Sequence, residues 1–591
     1  MNAYQLLTAV RRIPVTVLAH QVRRKARDTI VPLTAGAYRR RMESAADRFP
    51  EISESRCVPA DLADFVARYY RSSLHDCQEA AHGKFDLMGT TVDFGSVSAI
   101  DWRHRLPSEH DHNLWRMKLC QLEIVHSLLA DGRAADASTA LALIESFERA
   151  IGFDLPDPFR TIWSPYGASH RILATLSGFA LARSRGTLGP ELGDRIARLL
   201  HRDAAFVRAN VEHDLCNNHT ERNLAALCLY GMACVPFSAR QSRKLDREVR
   251  TIIEQTILPD GMQIERSAMY QGFSVMALRI FAAADFLSPA TRALARERGA
   301  AAESAWLLMS HRDGDIALFN DSWIGETPRA CDVLEQTHPR REQSILPDAG
   351  YIRLESGEID VWMDAGAIGP EWNPGHGHAD FLGIEVDVAG ERLIVDPGTS
   401  QYSTGPRRAW ERSAAAHNGP CFARLEPVEY FGCFKVGRIA AAEIVQLEPF
   451  ERAVGGRLAT RHGTLRRSIS SPGKGTLLVS DNWIGLDDDC VSRFLVPADW
   501  DVKIDKAGGI RLSKGAAEAH LEAVCGRIVL DGTDMWSRRY MAPEPAHVLS
   551  LIPERSDAGH YATLRVVRIP PVTMPATQDD RIPVSSGEDR R

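Results

Sequence analysis

The densest chemistry in this sequence lies in Asn373-Pro-Gly-His376-Gly-His378-Ala-Asp380, followed by Val395-Asp396-Pro-Gly-Thr and Ala416-His417-Asn418. Two histidines at i and i+2 of an extended segment project to the same side, and an Asp at the end of the paired hairpin strand comes beside them. His378, Asp396 and His417 together suit a zinc-like ion. A lone His-x-His is equally a pair of surface or core-satisfied histidines, so the weight rests on Asp396 and His417 downstream. A second segment, Asn217-Asn218-His219-Thr220-Glu221-Arg222-Asn223, opens a helix. Asn218 there is either a site residue or an N-cap, with Glu221 at a capping-box-like position. A third, Asp260-Gly-Met-Gln-Ile-Glu265-Arg-Ser-Ala-Met-Tyr270, is a turn that places a tyrosine at a helix start. Its hydroxyl either does chemistry or rests on a backbone carbonyl.

The elements that must carry these residues change character near residue 335. Before it, apolar side chains recur at helical spacing: Leu62, Phe65, Val66, Tyr69 and Tyr70 form one stripe, and Leu119, Leu122, Val125, Leu128 and Leu129 another. Further helices are predicted at about 167–185, 190–210, 219–235, 240–257, 271–287 and 290–310, an all-α region of antiparallel hairpins. After Pro347 come short β-branched runs broken by turn residues, such as 359–366, 475–484 and 561–569. Ile384, Val386 and Val388 alternate with acidic residues before Ala389-Gly390, which predicts a hairpin within a β-sandwich. The chain thus divides into a basic N-terminal arm (1–50), a helical domain (51–334), a sandwich (348–574) and a polar tail (575–591), with a linker at 335–343.

Composition bounds the function. Of 591 residues, 44% are hydrophobic and 25% charged, which excludes disorder and leaves room for large cores. The formal charge of −6 gives no general footprint for nucleic acid. Eleven cysteines, far apart and without a CxxC, argue against both a disulfide framework and a zinc ribbon. Arg11, Arg12 and Pro14 interrupt the N-terminal apolar stretch before it takes signal-peptide form, and no run reaches the ~20 apolar residues of a membrane span. The reading is a cytoplasmic protein with an amphipathic basic arm; a membrane-surface arm, or a periplasmic protein with a different start, is the alternative.

The stretch 375–420 resembles the heparinase II/III family of polysaccharide lyases, which also includes alginate and oligoalginate lyases. Other blocks follow the same order: FDLMG (85–89) with IDW (100–102), WSPYGASHRI (163–172), NNHTERNLAAL (217–227), the Tyr270 segment, LFNDSW (318–323) and EYFGCFKVGR (429–438). The resemblance implies an (α/α) toroid on an antiparallel β-sandwich, and β-elimination at a uronic acid. It implies that Asn218 and His219 hold the substrate carboxylate, that Tyr270 and His376 form the acid/base pair, and that His378, Asp396 and His417 hold one structural divalent ion, zinc by ligand type. Trp163 and Tyr402 are candidates for stacking on sugar faces, and Arg171, Arg407 or Arg412 for pairing with carboxylate or sulfate.

Two positions depart from the commoner family pattern: Gln271 follows Tyr270 where histidine is frequent, and Glu411 interrupts an aromatic-arginine run. The first bears on the tuning of Tyr270, the second on binding of highly sulfated chains. The implied partner is an acidic polysaccharide or oligosaccharide; a homo-oligomer stays open. Two other readings stand beside the lyase. A glycoside hydrolase on an (α/α) toroid would use Asp260 with Glu265, or Asp321 with Glu326, as acid and base. A non-catalytic protein would bind an acidic exopolysaccharide during its synthesis.

Overall fold

The computed structural model describes residues 11–47, 52, 58–150, 152, 162–334, 343–422, 425–446, 453–485, 490–556 and 559–570. Most of the linker read at 335–343 and all of the polar tail lie outside these residues, as does Cys57. The helices Pro165–Ser184, Pro190–Ala209, Asn218–Ala233, Ala239–Thr256, Ala268–Ala283 and Pro289–Leu308 fall within a few residues of the stretches expected from periodicity. Local chemistry fixes their starts. Ser164, Ser238, Ser267 and Ser288 each accept a first-turn amide, and Pro165, Pro190 and Pro289 pre-set the opening dihedral. Three helices, Pro165–Ser184, Asn218–Ala233 and Ala268–Ala283, are buried over most of their length and form the centre. Ala239–Thr256 buries one stripe, Leu245, Val249, Ile252 and Ile253, and sits outside them.

A hairpin interrupts this helical region. Lys84–Leu87 pairs with Thr90–Asp93 across Met88 (φ 55°) and Gly89 (φ 75°), a two-residue turn with both central residues left-handed. A Cβ on Gly89 would lie 2.5 Å from the Tyr540 carbonyl oxygen, so glycine lets the hairpin tip seat on the C-terminal sheets.

From Gln343 onward the described chain is mostly antiparallel strands. Gln343–Leu346, Tyr351–Ser356, Ile359–Asp364, Ile384–Val388 and Glu391–Ile394 form a five-stranded meander, accompanied by sheets of nine and four strands. Ile352, Val361, Ile384 and Val386 of the meander share one core with Ile469, Val479, Trp483 and Phe494 of the other two sheets. The alternate residues face the helices: Tyr351 and Trp362 belong to the helical core.

Period-two alternation therefore gives the meander two buried faces. Glu385 and Asp387, the acidic residues between Ile384, Val386 and Val388, are fully buried against the helical side. The segment after Pro289–Leu308 compensates them. The Leu318 amide donates to Glu385 (2.6 Å), the Arg312 amide to Asp387 (3.2 Å), and the Trp362 indole to the Leu308 carbonyl (2.7 Å). His311 stacks on Trp362 with 4.0 Å between ring centroids, its Nδ1 2.7 Å from Asp387 and its Nε2 2.7 Å from Glu385. Arg392, on the next strand, ties Asp313 (2.8 Å) into the same seam.

This seam should titrate. Burial and nearby Arg392 push the His311 pKa down, but Asp387 and Glu385 outweigh them and bring it to about 9 from 6.5. A group raised on folding contributes fully below its unfolded value, so its stabilisation, roughly 3 kcal/mol, is present below about pH 6.5 and lost as pH climbs through about 9. Thermal denaturation of wild type and His311→Gln across that range should show a fall in Tm that the variant lacks. The same pH slope in both would mean that the ring is neutral in the folded chain.

Candidate active site

The cleft opens where the helical region meets the sheets, and each of its reactive side chains is delivered by a helix start or a loop. Asn217, not Asn218, caps the helix Asn218–Ala233: its side chain accepts the His219 amide at 3.0 Å. Asn218 is left in the first turn, facing the cleft. Its Nδ2 donates to Glu265 Oε2 at 2.7 Å, while Asn217 Nδ2 and Gln263 Nε2 donate to the same carboxylate at 3.0 and 2.9 Å. Glu265 thus orients the amide with one N–H and leaves the second N–H of Asn218 for another acceptor. His219 lines the same wall, stacked on Tyr166 at 4.1 Å with Nδ1 3.4 Å from Glu212. Glu221 points away, to Ser274, and burial raises its carboxyl to about 7.

Tyr270 occupies the first turn of Ala268–Ala283, whose cap, Ser267, donates to the Asp321 carbonyl at 2.8 Å. The tyrosine hydroxyl does not rest on a backbone carbonyl. It lies 2.7 Å from the Tyr402 hydroxyl and 3.1 Å from His376 Nδ1. Burial, with the negative charges of Asp321 and Glu265, holds its pKa well above 10, so the phenol keeps its proton at neutral pH.

Asp321 joins these groups. Its carboxylate, fully buried, accepts from His376 Nδ1 (2.8 Å), His378 Nε2 (2.9 Å), the Thr399 hydroxyl (3.0 Å) and both terminal nitrogens of Arg408. Burial favours its neutral form, but Arg408 and the histidines reverse that and hold it well below the usual carboxylate range. An ionised carboxylate only accepts, so His376 carries a proton on Nδ1. Its Nε2 lies 3.7 Å from Glu265.

Beside this hub, ligand atoms of Asp380, Asp396 and His417 lie within 4.8 Å of one another, all fully buried. The sequence expectation named His378 where the convergent set has Asp380. His378 Nε2 bonds Asp321 while its Nδ1 has no partner and its ring stays 5.4 Å from that of His417, so Asp380 joins the set without displacing His378 as a ligand candidate. His417 Nδ1 is 2.7 Å from Asp396. Burial raises Asp380, and raises Asp396 to about 6; His417 is lowered by burial but carried to about 9 by Asp396. Asp380 Oδ1, His417 Nε2 and His378 Nδ1 are buried with no hydrogen-bond partner. Buried polar atoms without partners, amid carboxylates that repel each other, are what a divalent cation would satisfy, displacing the imidazole proton of His417 as it binds.

The remaining sequence candidates divide. Tyr402 lines the cleft, its backbone amide held by the Tyr540 hydroxyl at 2.9 Å. Trp163 and Arg171 do not reach it. Arg171 is wholly buried between helices, paired with Asp203 (2.8 Å) and the Cys120 and Ile162 carbonyls, with its guanidinium over Trp163. Arg407 pairs with Glu411 (2.7 Å) and Asp534 (3.3 Å), and Arg412 is spent on the carbonyls of Gly375, Gly377 and Cys433. The two departures are also structural. Gln271 bonds the backbone of Gly261, Gln263 and Ala302, away from the cleft, and Glu411 accepts the Ser400 amide, bracing the loop that carries Tyr402.

Sequence reasoning missed His112 and Lys118, which line the cleft with Glu326, a residue it named only as a hydrolase carboxylate. His112 packs edge-on to Tyr402 and Phe434, and burial lowers it to about 4, a neutral ring. Lys118 bridges Glu123 (3.1 Å) and Glu326 (2.9 Å). Nothing in local spacing marks the first two, because Lys118 lies within an apolar helix and His112 in the irregular segment before it.

Residues 338–546 match the sequence profile described as Heparinase II/III-like, C-terminal. Among curated proteins no sequence matches the chain. Among solved structures it is similar to heparinase III (TM-score 0.64, 14% identity, 87% of this chain and 86% of that one). It is also similar to the heparinase III BT4657 gene product (0.57, 14%, 85% and 85%). A third is heparan sulfate lyase HepC from Pedobacter heparinus (0.52, 17%, 90% and 88%). At these identities the likeness is one of fold, and it spans both the helical region and the sheets. Residues 338–546 thus resemble the C-terminal domain of heparinase II/III-like proteins, and the chain as a whole shares the fold of the solved heparinase structures.

Proposed function

We propose that this protein is a polysaccharide lyase that cleaves a uronic-acid-containing chain by β-elimination, leaving a C4=C5 unsaturated uronate. The observation that carries the reading is the convergence of the Asn218 amide, the Tyr270 phenol and the His376 imidazole, from three separate segments, on one cleft. The C5 proton of a uronate is weakly acidic because a carboxylate flanks the incipient carbanion, so the site must supply donors to the developing enolate. The second N–H of Asn218, with His219 beside it, serves that carboxylate. His376, oriented by the bond from Nδ1 to Asp321, takes the C5 proton on Nε2. Tyr270, kept as a neutral phenol by burial, gives its proton to the C4 oxygen as that bond breaks and the C4=C5 bond forms. The Tyr402 hydroxyl, 2.7 Å away, stabilises the phenolate left behind, and exchange with solvent in the open cleft resets both groups.

The hydrolase alternative has no free carboxylate pair. Asp260 accepts the Asp348 and Ala349 amides, Glu265 is held by two asparagines and Gln263, Asp321 is saturated, and Glu326 is paired with Lys118. A divalent ion, zinc by ligand type, fits Asp380, Asp396 and His417. When bound it supplies positive charge to buried carboxylates and braces the loop behind His376; elimination itself uses the organic side chains.

Two measurements test this. On a screen of uronate polymers read at the unsaturated-uronate absorbance, wild type should produce a rise that neither a hydrolase nor a binder gives. Tyr270→Phe keeps the ring packing and should lower kcat ~10²–10⁴-fold, and Asn218→Ala ~10²-fold or more. Near wild-type elimination by both variants would sink the assignment of the cleft. Metal analysis of purified protein should find about one divalent ion per chain, with His417→Ala lowering both content and Tm. Metal-free protein of unchanged Tm would leave Asp380, Asp396 and His417 as a hydrogen-bonded brace.

A further inference from the structure

The first described helix, Val15–Leu33, carries two faces that point in opposite directions. At 100° per residue, Val17, His20, Arg24 and Val31 fall together, and this face meets the protein. Val17 and Val31 are buried, the His20 ring lies 5.0 Å from that of His213, and Arg24 pairs with Asp214 at 3.0 Å. The opposite face aligns Val15, Ala19, Val22, Ala26, Ile30 and Leu33, all exposed. Val15, Val22, Ile30 and Leu33 are 81%, 67%, 56% and 81% exposed. They are four of the nine large exposed apolar side chains among the described residues, so this helix holds the main concentration of them.

Charge selects what covers this stripe. Lys25 borders it on one side and Arg23 on the other, Arg23 also reaching the Ala209 carbonyl at 3.2 Å. Arg40 and Arg41 are exposed on the following helix, Ala35–Asp47. Residues 11–47 hold nine basic and three acidic side chains in a chain whose formal charge is −6. A second copy of the chain would bring two such cationic arms together. An acidic polymer would neutralise the cations and leave the apolar stripe in water. An anionic lipid surface satisfies both: apolar side chains enter the acyl boundary while flanking Lys and Arg reach back to the headgroups.

We propose that the helix Val15–Leu33 docks this protein onto anionic membrane surfaces. The helix is long enough to lie on a bilayer, while none of the described helices is long and apolar enough to cross one. Arg12, just before it, donates to the Val436 and Gly437 carbonyls at 2.9 and 2.6 Å, next to the cleft-lining Phe434.

The test is co-sedimentation of the full-length protein with vesicles of phosphatidylcholine containing about a third phosphatidylglycerol, against pure phosphatidylcholine. Wild type should sediment with the anionic vesicles only, and less so as salt rises. The double variant Val22→Glu/Ile30→Glu should lower that partition at least ~10-fold, and Arg23→Glu/Lys25→Glu should lower it too. Both variants change exposed positions and should keep the wild-type Tm, which separates lost docking from lost folding. Three results would overturn the proposal: no sedimentation with either vesicle, equal partition of wild type and Val22→Glu/Ile30→Glu, or a change confined to the mass seen by sedimentation velocity, which would assign the stripe to a second copy. Release of the vesicle-bound protein by a soluble polyuronate, with Val22→Glu/Ile30→Glu binding that polymer as wild type does and no longer binding vesicles, would leave the assignment to lipid intact.

Discussion

A single buried carboxylate organises the cleft. Asp321 is removed from water, and an isolated charge there would be prohibitively costly. It is tolerated because Arg408, His376, His378 and Thr399 all donate to it, from the His376–His378 loop, the Thr399 loop and the short helix Pro406–Glu411. The consequence runs outward. Arg408 fixes the short helix Pro406–Glu411, which positions the Tyr402 loop; His376 is oriented through Nδ1; and His378 is held through Nε2 beside the neighbouring carboxylate cluster. Geometry that would otherwise depend on several flexible loops depends on satisfying one anion.

Backbone strain marks the same places. Cys216, Arg266, Asn320 and Leu382 have φ of 47°, 57°, 59° and 60°, a left-handed conformation that costs a non-glycine residue about 1 kcal/mol or more. Each stands at the entry or exit of a segment that supplies the site: Asn218, Tyr270, Asp321 and the His376–Asp380 run. The strain is held by bonds across the seam. The Arg266 guanidinium donates to the Ala349 carbonyl at 2.9 Å, the Asn320 amide donates to Asp380 at 2.7 Å, and the Asn320 side chain accepts the His378 amide at 3.0 Å.

Helices and strands were legible where periodicity had a single cause. The buried helices and the Ile384–Val388 strand follow directly from apolar spacing and from Ser and Pro at helix starts. Periodicity could not say which face of the meander meets water, since Glu385 and Asp387 look like a solvated edge and are instead neutralised by a segment some 70 residues earlier. Resemblance to a family pointed to Asn218, Tyr270 and His376, and the structure brings them together; spacing alone left each with a structural explanation. Arg171 and Trp163 show the opposite failure. A guanidinium and an indole suit a sugar site by type, but Arg171 on a central helix is committed to Asp203, and Trp163, just before that helix, to the core.

The cleft lies between two cores and is not cut into one. Asn218, His219 and Tyr270 ride on helices packed into the first, while His376 projects from the loop beneath the second. The gap between Asn218 and His376 is therefore set by how two packed surfaces meet, at Trp362 against Leu308 and Gly89 against Tyr540. Substitutions at those remote contacts alter the bore of the cleft while leaving every reacting atom unchanged. Divergence in which polymer is admitted can thus accumulate in ordinary packing positions, invisible to any comparison confined to the residues that touch the substrate.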